Sequence, residues 1–301
     1  MRLRVNHTTK YRYPNPVTDS HNEVRLRPVS DDDQTCLEYS LKTTPAAKQF
    51  DFTLPTGIVE NFGIRAFHQE LVVCAESLVE TRLNDPFAGM PLETNLNAFY
   101  SEADLKQDFA EYLAETNRIQ FSPDIETISH EIARATQGGS IEFLQAVNRW
   151  IYREIAYRPG KTDVNTALPE VLEKRMGVCQ DHAHLMLAFC RCRGVPSRYL
   201  SGYLYTGSIP ISADVRQIAS VADLENKRPA LVSGDAMHAW VECLLPDRKW
   251  HGFDPTNNVL TDDKYIKVHY GRDYSDVPPI KGVFRGAVSH TLAVSVHVSL
   301  G

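Results

Sequence analysis

Cys179 stands in the stretch Gly177-Val178-Cys179-Gln180-Asp181-His182-Ala183-His184-Leu185, where a turn runs directly into an apolar pattern. Leu185, Met186, Ala188 and Phe189 recur at helical spacing, which predicts a helix starting at or beside the cysteine. Gly177 permits a tight approach of the chain ahead of it. A cysteine in a first helical turn faces unpaired backbone N–H groups and the positive end of the helix dipole. Both favour the thiolate, the nucleophilic form of the side chain.

A nucleophilic thiolate needs a base and a group that holds the base. Downstream lie Met237-His238-Ala239-Trp240-Val241-Glu242 and Trp250-His251-Gly252-Phe253-Asp254-Pro255-Thr256. Each reads as a short strand, and the link Pro246-Asp247-Arg248-Lys249 has turn composition. One antiparallel hairpin would then carry His238 and Asp254 on neighbouring strands. His238 would take the thiol proton, and Asp254 would bond the other ring nitrogen and fix the tautomer. The thiolate would attack a carbonyl, with the oxyanion held by the Cys179 backbone N–H and a second donor. Tyr157 and Gln180 both stay open for that second role.

The hairpin carries a geometric condition. A regular turn of even length centred between Asp247 and Arg248 sets Asp254 opposite Val241. Strand side chains alternate between faces, so His238 and Asp254 would then point to opposite sides. An odd-length turn or a β-bulge between Ala239 and Phe253 sets Asp254 across from Trp240 or Glu242, on the face of His238. The catalytic reading therefore predicts such an irregularity.

Each residue alone has a plainer reading. A lone cysteine is often a small buried apolar residue, a lone histidine a hydrogen-bonded strand end, and an aspartate before proline a turn residue. What favours chemistry is the three segments together, in order. A metal site is a weaker alternative. Cys179, His182 and His184, or Cys190 with Cys192, lack the paired spacings of zinc sites, and His184 points away from the face shared by Cys179 and His182. Asp181 and His182 are expected to line or flank the cleft. Trp240 and Trp250 read as walls, and Glu242 and His251 as solvated or locally paired. No glycine-rich phosphate loop joins a strand to a helix, so no cofactor is expected.

These segments resemble those of the transglutaminase-like (papain-like thiol) superfamily. Gly177–Leu185 resembles its nucleophile segment, His238–Glu242 its histidine strand and Trp250–Thr256 its aspartate strand. Residues 193–203, Arg-Gly-Val-Pro-Ser-Arg-Tyr-Leu-Ser-Gly-Tyr, are similar to the turn and strand after the catalytic helix, with Ser197 where many members carry alanine. His7–Val17 and Asn22–Pro28 resemble the N-terminal β domain of a bacterial subgroup of transglutaminase-like cysteine proteases, and Arg272–Gly282 its C-terminal segment. The resemblance implies acyl chemistry through a Cys179 thioester, with Cys179, His238 and Asp254 as the triad. It implies a peptide or protein substrate and leaves open water or an amine as acceptor. Hydrolysis is favoured on family breadth, cross-linking of glutamine to amines is the alternative, and a peptide-binding or assembly module without turnover is the reading from another class.

The chain's 301 residues leave room for two domains, and 43% apolar residues allow a buried core. A net charge of −6 without a basic run argues against general nucleic-acid binding. The six cysteines at 36, 74, 179, 190, 192 and 243 are irregularly spaced in a large chain, which suits reduced thiols rather than a disulfide framework. Met1–Asn6 opens no apolar signal region, and no apolar run approaches the roughly 20 residues of a spanning helix. A cytoplasmic protein without membrane partners is the expectation. Oligomeric state is not legible.

Residues 1–95 read as an N-terminal β domain of sandwich type, with alternation in 3–13, 23–28, 36–42, 50–54 and 62–79 between turn clusters. Residues 85–91 have linker composition. The remainder, 96–301, reads as an α+β catalytic domain in which the cysteine helix packs on an antiparallel sheet. Helices are predicted near 102–116, 125–136 and 140–156, strands near 198–205, 238–245 and 250–256, and a last strand over 291–300. The polar stretch 206–236 fits either a surface loop or a substrate-binding lid.

Overall fold

The structure is a computed structural model that describes residues 1–87, 90, 99–137, 139–207, 231, 236–286 and 289–301. The N-terminal part forms β1 (Arg2–Val24), β2 (Gln34–Thr44), β3 (Gln49–Leu54), β4 (Gly57–Ile64) and β5 (His68–Thr81). A helical region follows, with helices Ala103–Asp108, Pro123–Ala135, Ser140–Glu154, Leu168–Lys174 and Cys179–Arg191. Within it, β6 (Ala156–Tyr157) and β7 (Met176–Gly177) form a short parallel pair just before the last helix. Then come β8 (Ser197–Leu204), β9 (His238–Leu244), β10 (Trp250–Asp254), β11 (Val259–Leu260), β12 (Tyr265–Gly271), β13 (Ile280–Arg285) and β14 (Thr291–Leu300).

β1 is far longer than the usual strand of about five or six residues, and it serves two sheets in turn. From Arg2 to Arg12 it pairs antiparallel with β5 and β14; from Ser20 to Val24 it pairs with β4 and β13. The register breaks between Arg12 and Val17. Pro14 and Pro16 lie in that gap and have no N–H to give a ladder. β2 flanks β5 and β3 flanks β4, so the order is β2-β5-β1-β4-β3. Tyr13, Val17, Leu41, Phe62, Ile64, Leu71 and Val73 fill the space between the two halves, which is a sandwich core.

The second sheet runs β11-β10-β9-β8-β12, each pair antiparallel. The Cys179–Arg191 helix lies against it. Leu185, Met186, Ala188 and Phe189 are buried with Val241, Cys243, Leu244 and Phe253 in one core. The helix shows almost no outward polar face, because the Pro123–Ala135 and Ser140–Glu154 helices cover its other side.

The two parts are joined by apolar contact and by a polar clamp. Leu3, Val5 and Val79 pack against Tyr203, Ile266 and Val268. Gln34 donates to the carbonyl of Lys267 at 2.8 Å and accepts from the Lys267 backbone N–H at 2.8 Å. Lys267 Nζ reaches Asp31 at 2.6 Å and Asp33 at 2.8 Å.

Three expectations change. The helix foreseen over 102–116 breaks after Asp108, and Ala110–Tyr112 forms a 3-10 turn. Phe109 and Tyr112 both turn onto Trp250, with ring centroids 5.7 and 5.4 Å away, so tertiary packing overrides local propensity. The run 62–79 is divided between β4 and β5 by a bend at residues 65–67. The tail, assigned to the unit 96–301, lies in the N-terminal sheet: β13 and β14 both pair with β1. Without them β1 would be an open edge over its whole length, a costly arrangement for so long a strand. The sheet carrying His238 takes no strand from residues 1–85. Residues 88, 89 and 91 of the linker segment and almost all of 206–236 lie outside the described residues.

Candidate active site

The nucleophile candidate is placed by its turn. Cys179 is the first residue of its helix, after an extended Val178. Asp181 closes the turn by accepting from the Val178 N–H at 2.8 Å and from Thr162 Oγ1 at 2.7 Å. That carboxylate sits over Gly177, where an added Cβ would come within 2.7 Å of Asp181 Cβ. Glycine is therefore required there, and Asp181 acts as a structural staple. Burial pushes the Asp181 carboxyl pKa up, against the pull of those two hydrogen bonds. Cys179 remains half-exposed.

His238 is the first residue of β9 and pairs with Gly202 of β8. A Cβ at 202 would lie 2.1 Å from the Ile266 carbonyl and 2.4 Å from the Trp240 ring. Only glycine lets the strands close here, and Trp240 then lies stacked beside the His238 ring with centroids 6.2 Å apart.

The hairpin has the odd-length irregularity expected from strand alternation. Trp250 pairs with Leu244 and Phe253 with Val241. That register is centred on Asp247 itself, and the Leu245 N–H bonds the Lys249 carbonyl at 3.0 Å around a three-residue turn. Arg248 takes a left-handed conformation, φ 59°, to close it. Continued by one step, the register sets Asp254 opposite Trp240, on the face of His238. The two side chains meet: His238 Nε2 lies 2.8 Å from Asp254 Oδ2.

Asp254 is wholly buried, and its charge is met by donors alone. Oδ2 accepts from His238, from Tyr265 Oη at 2.7 Å and from Asn257 Nδ2 at 2.6 Å. Oδ1 accepts the backbone N–H groups of Thr256 at 2.9 Å and Asn257 at 3.2 Å. Burial would raise the Asp254 pKa, yet the His238 charge and these bonds hold it below the usual carboxylate value. For His238 the balance runs the same way. Burial would lower its pKa, but the Asp254 carboxylate and then the Cys179 side chain outweigh it and raise it to about 10.

With Nε2 committed to Asp254, Nδ1 is the atom left for Cys179. The thiol is close enough to stabilise the imidazolium, although Nδ1 makes no well-formed hydrogen bond. A catalytic contact of this kind is often loose before substrate arrives. The arrangement can generate a thiolate–imidazolium pair, attack a carbonyl and return a proton to a leaving group.

The neighbouring candidates fall into place by contact. His182 Nδ1 lies 3.1 Å from Thr256 Oγ1, which ties the cysteine helix to the aspartate turn. His184 points into the core, where its Nε2 accepts from the Tyr274 N–H at 3.2 Å and burial lowers its pKa to about 3. Cys190 faces Cys243 with sulfurs 3.9 Å apart, while Cys192 donates to the Phe189 carbonyl at 3.3 Å. Glu242 is locally paired with Arg198, and His251 with Asp247 at 2.8 Å. Tyr157 lies beside His182, ring centroids 6.2 Å apart. Two members of the site were missed in the sequence, Tyr265 and Asn257. Asn257 had a signal in Asp-Pro-Thr-Asn, a composition that folds back on its aspartate. Tyr265 had none.

A cysteine at a helix start, served by a histidine and an aspartate on an adjacent antiparallel sheet, defines the papain-like thiol class of fold and site. Residues 126–255 match the transglutaminase-like superfamily and residues 3–80 the bacterial transglutaminase-like N-terminal region. The chain belongs to the transglutaminase-like superfamily. An uncharacterized protein of Mycobacterium leprae is 33% identical over 302 residues, spanning 99% of this chain and 98% of that one. One from Mycobacterium tuberculosis is 31% identical over 310 residues, spanning 99% and 92%. A solved structure from Cytophaga hutchinsonii, described as "a Putative Cysteine Protease", shares the fold with a TM-score of 0.72 at 20% identity, covering 99% of this chain and 90% of that one.

Proposed function

We propose that the protein is a thiol-dependent acyl-transfer enzyme acting on peptide-type amides, with Cys179 as nucleophile, His238 as base and then acid, and Asp254 as the residue that orients His238. The observation that carries this reading is the buried His238–Asp254 bond at 2.8 Å, which leaves Nδ1 for a half-exposed cysteine at a helix start. A binding module has no need of this arrangement.

In the proposed cycle His238 holds the Cys179 proton and the thiolate adds to the amide carbonyl. The carbon–nitrogen bond breaks as His238 protonates the departing amine, and a thioester remains on Cys179. Hydrolysis follows when water, deprotonated by His238, attacks the thioester; cross-linking follows when an amine does. Hydrolysis is the favoured outcome, by analogy with the breadth of the family alone.

The test is incubation with a peptide library, with and without an added primary amine, read by mass spectrometry. Cleaved or deamidated peptides establish hydrolysis, and peptides heavier by the amine less ammonia establish transfer. Alkylation of Cys179 by iodoacetamide at ordinary free-thiol rates, together with no product of either kind, would leave a binding role.

A further inference from the structure

A cavity of about 630 Å3 lies where the N-terminal sheets meet the outer face of β8 and β12, within the range of ligand sites. Its walls are mainly apolar, with Leu37, Leu54, Ile58 and Leu200 among them. The Tyr270 hydroxyl bonds the Pro55 carbonyl at 2.6 Å and its N–H bonds the Thr56 carbonyl at 3.2 Å, so both parts of the molecule build it.

Charged side chains in its lining have partners, the weakest being exposed Glu38 with Arg4 at 3.9 Å. Arg198 pairs with Glu242, Lys267 with Asp31 and Asp33, and Arg27 with Glu60 at 3.2 Å. Two polar atoms have none. His269 is only 2% exposed, and its Nε2 has no partner. Its Nδ1 lies 3.3 Å from the Tyr270 carbonyl, which can only accept, so Nδ1 carries the proton and Nε2 offers a lone pair. Burial, followed by the nearby Arg25, keeps this ring neutral, with its pKa lowered to about 4. Arg27 Nε is the second, a buried donor with no acceptor. Unmet buried polar atoms are rare and costly in native proteins.

The unmet groups are thus one acceptor and one donor, among apolar walls without uncompensated charge. A peptide backbone supplies an N–H and a C=O together and carries no charge. β3 leads into the same place. It is the outermost strand of its sheet, Leu54 at its end lines the cavity, and Phe50 and Phe52 on the same face are 60% and 44% exposed. A free strand edge is a template for an added extended chain.

The geometry points to a peptide-binding exosite: an extended, uncharged segment with apolar side chains lies in this groove, donating a backbone N–H to His269 Nε2 and accepting from Arg27 Nε. This deepens the reading of a peptide substrate and rests on it. Along β8, Arg198 at the cavity and Gly202 opposite His238 are four residues apart, or about 13 Å. The segment held would therefore lie outside the bond attacked.

The probe is the capped tetrapeptide acetyl-Ala-Leu-Ala-Leu-amide, titrated by calorimetry into the Cys179→Ala full-length chain so that no turnover intrudes. Binding should weaken tenfold or more when Leu37→Asp and Leu54→Asp are combined, at positions already exposed and so tolerant of change. It should weaken similarly with His269→Phe. N-methylating the peptide's backbone amides should cost affinity against the parent chain and little further against His269→Phe, which separates a lost hydrogen bond from a damaged fold. No binding to the parent chain, or equal binding to the Leu37/Leu54 variant, overturns the exosite; so does equal sensitivity to N-methylation with and without His269, which would mean that the unmet atoms meet only water. A wild-type chain whose KM for peptides is unchanged by Leu37→Asp/Leu54→Asp refutes the exosite and leaves the catalytic reading standing. Binding through the cavity without any acyl chemistry does the reverse.

Discussion

At the scale of residues, Asp254 is held by more donors than orientation of one histidine demands. Each bond to its carboxylate stabilises the charge, which in turn holds His238 as imidazolium through neutral pH. Asp254→Asn should lower kcat by about three to four orders of magnitude, as loss of the orienting carboxylate does in a catalytic triad. It should also move the alkaline limb of the pH–rate profile, set by His238 with its pKa raised to about 10, to lower pH. An unmoved alkaline limb would show that another group controls it. Tyr265→Phe removes the hydroxyl that donates to Asp254 at 2.7 Å and also contacts the Asn257 side chain. It should slow turnover by about tenfold, the worth of one charged hydrogen bond of roughly 1.5 kcal/mol, with KM unchanged; a change in KM alone would make Tyr265 part of substrate binding. Cys179→Ala should abolish turnover and the fast alkylation assigned to that thiol, leaving only slow labelling of the other cysteines, at nearly unchanged thermal stability. Cys179, His238 and Asp254 were legible because each sits in a local frame that demands an explanation: a turn entering a helix, a strand start, an aspartate before proline. Tyr265 was not, because a buried tyrosine in a strand reads as core and its partner lies on a different strand.

At the scale of elements, parity decides whether the site exists. One residue more or fewer in the Leu245–Lys249 turn would put Asp254 on the wrong face. This much followed from counting, since alternation is a property of every strand. What counting could not supply was the route, a left-handed Arg248 or a bulge elsewhere. The broken helix near Phe109 shows the opposite case: its local pattern was helical, and the attraction of Trp250 for Phe109 and Tyr112 came from strand β10, far along the chain. Packing also makes Gly202 indispensable to the His238 strand. Gly202→Ala would drive a methyl into the Ile266 carbonyl and the Trp240 ring. It should destabilise the protein by about 1–3 kcal/mol in denaturant unfolding, and it should slow alkylation of Cys179 by displacing the ring beside Trp240. A variant of wild-type stability would mean that β8 and β9 part easily, and that the close pairing there does not hold His238.

At the scale of the whole molecule, the pair also sets the pH range of stability. His238 has its folded pKa raised, so its contribution is fully present below its unfolded value of about 6.5 and is lost as pH rises through about 10. Asp254 has its folded pKa lowered, so its contribution is present above about 3.9 and is lost as pH falls through the depressed value. Both contributions are complete only between about pH 3.9 and 6.5, so the pair should stabilise the wild-type chain most there, with a steady fall as pH rises from about 6.5 toward about 10 and another as pH drops below about 3.9. The connectivity predicts how it comes apart. Alternation over 291–300 announced a strand, but alternation names no partner, and the tail crosses the molecule to close β1. A chain ending before Ile280 leaves β1 paired on one side only, with Leu3 and Val5 still needed against Tyr203 and Ile266. Hydrogen exchange should accelerate first in β1 and β5, and only then, through the Gln34 clamp on Lys267, in β12 beside Tyr265. The Cys179 helix, buried among other helices and the second sheet, should keep its protection longest. Early loss of protection in that helix would show instead that the tail stabilises the catalytic core directly, and that the N-terminal sheets merely carry it.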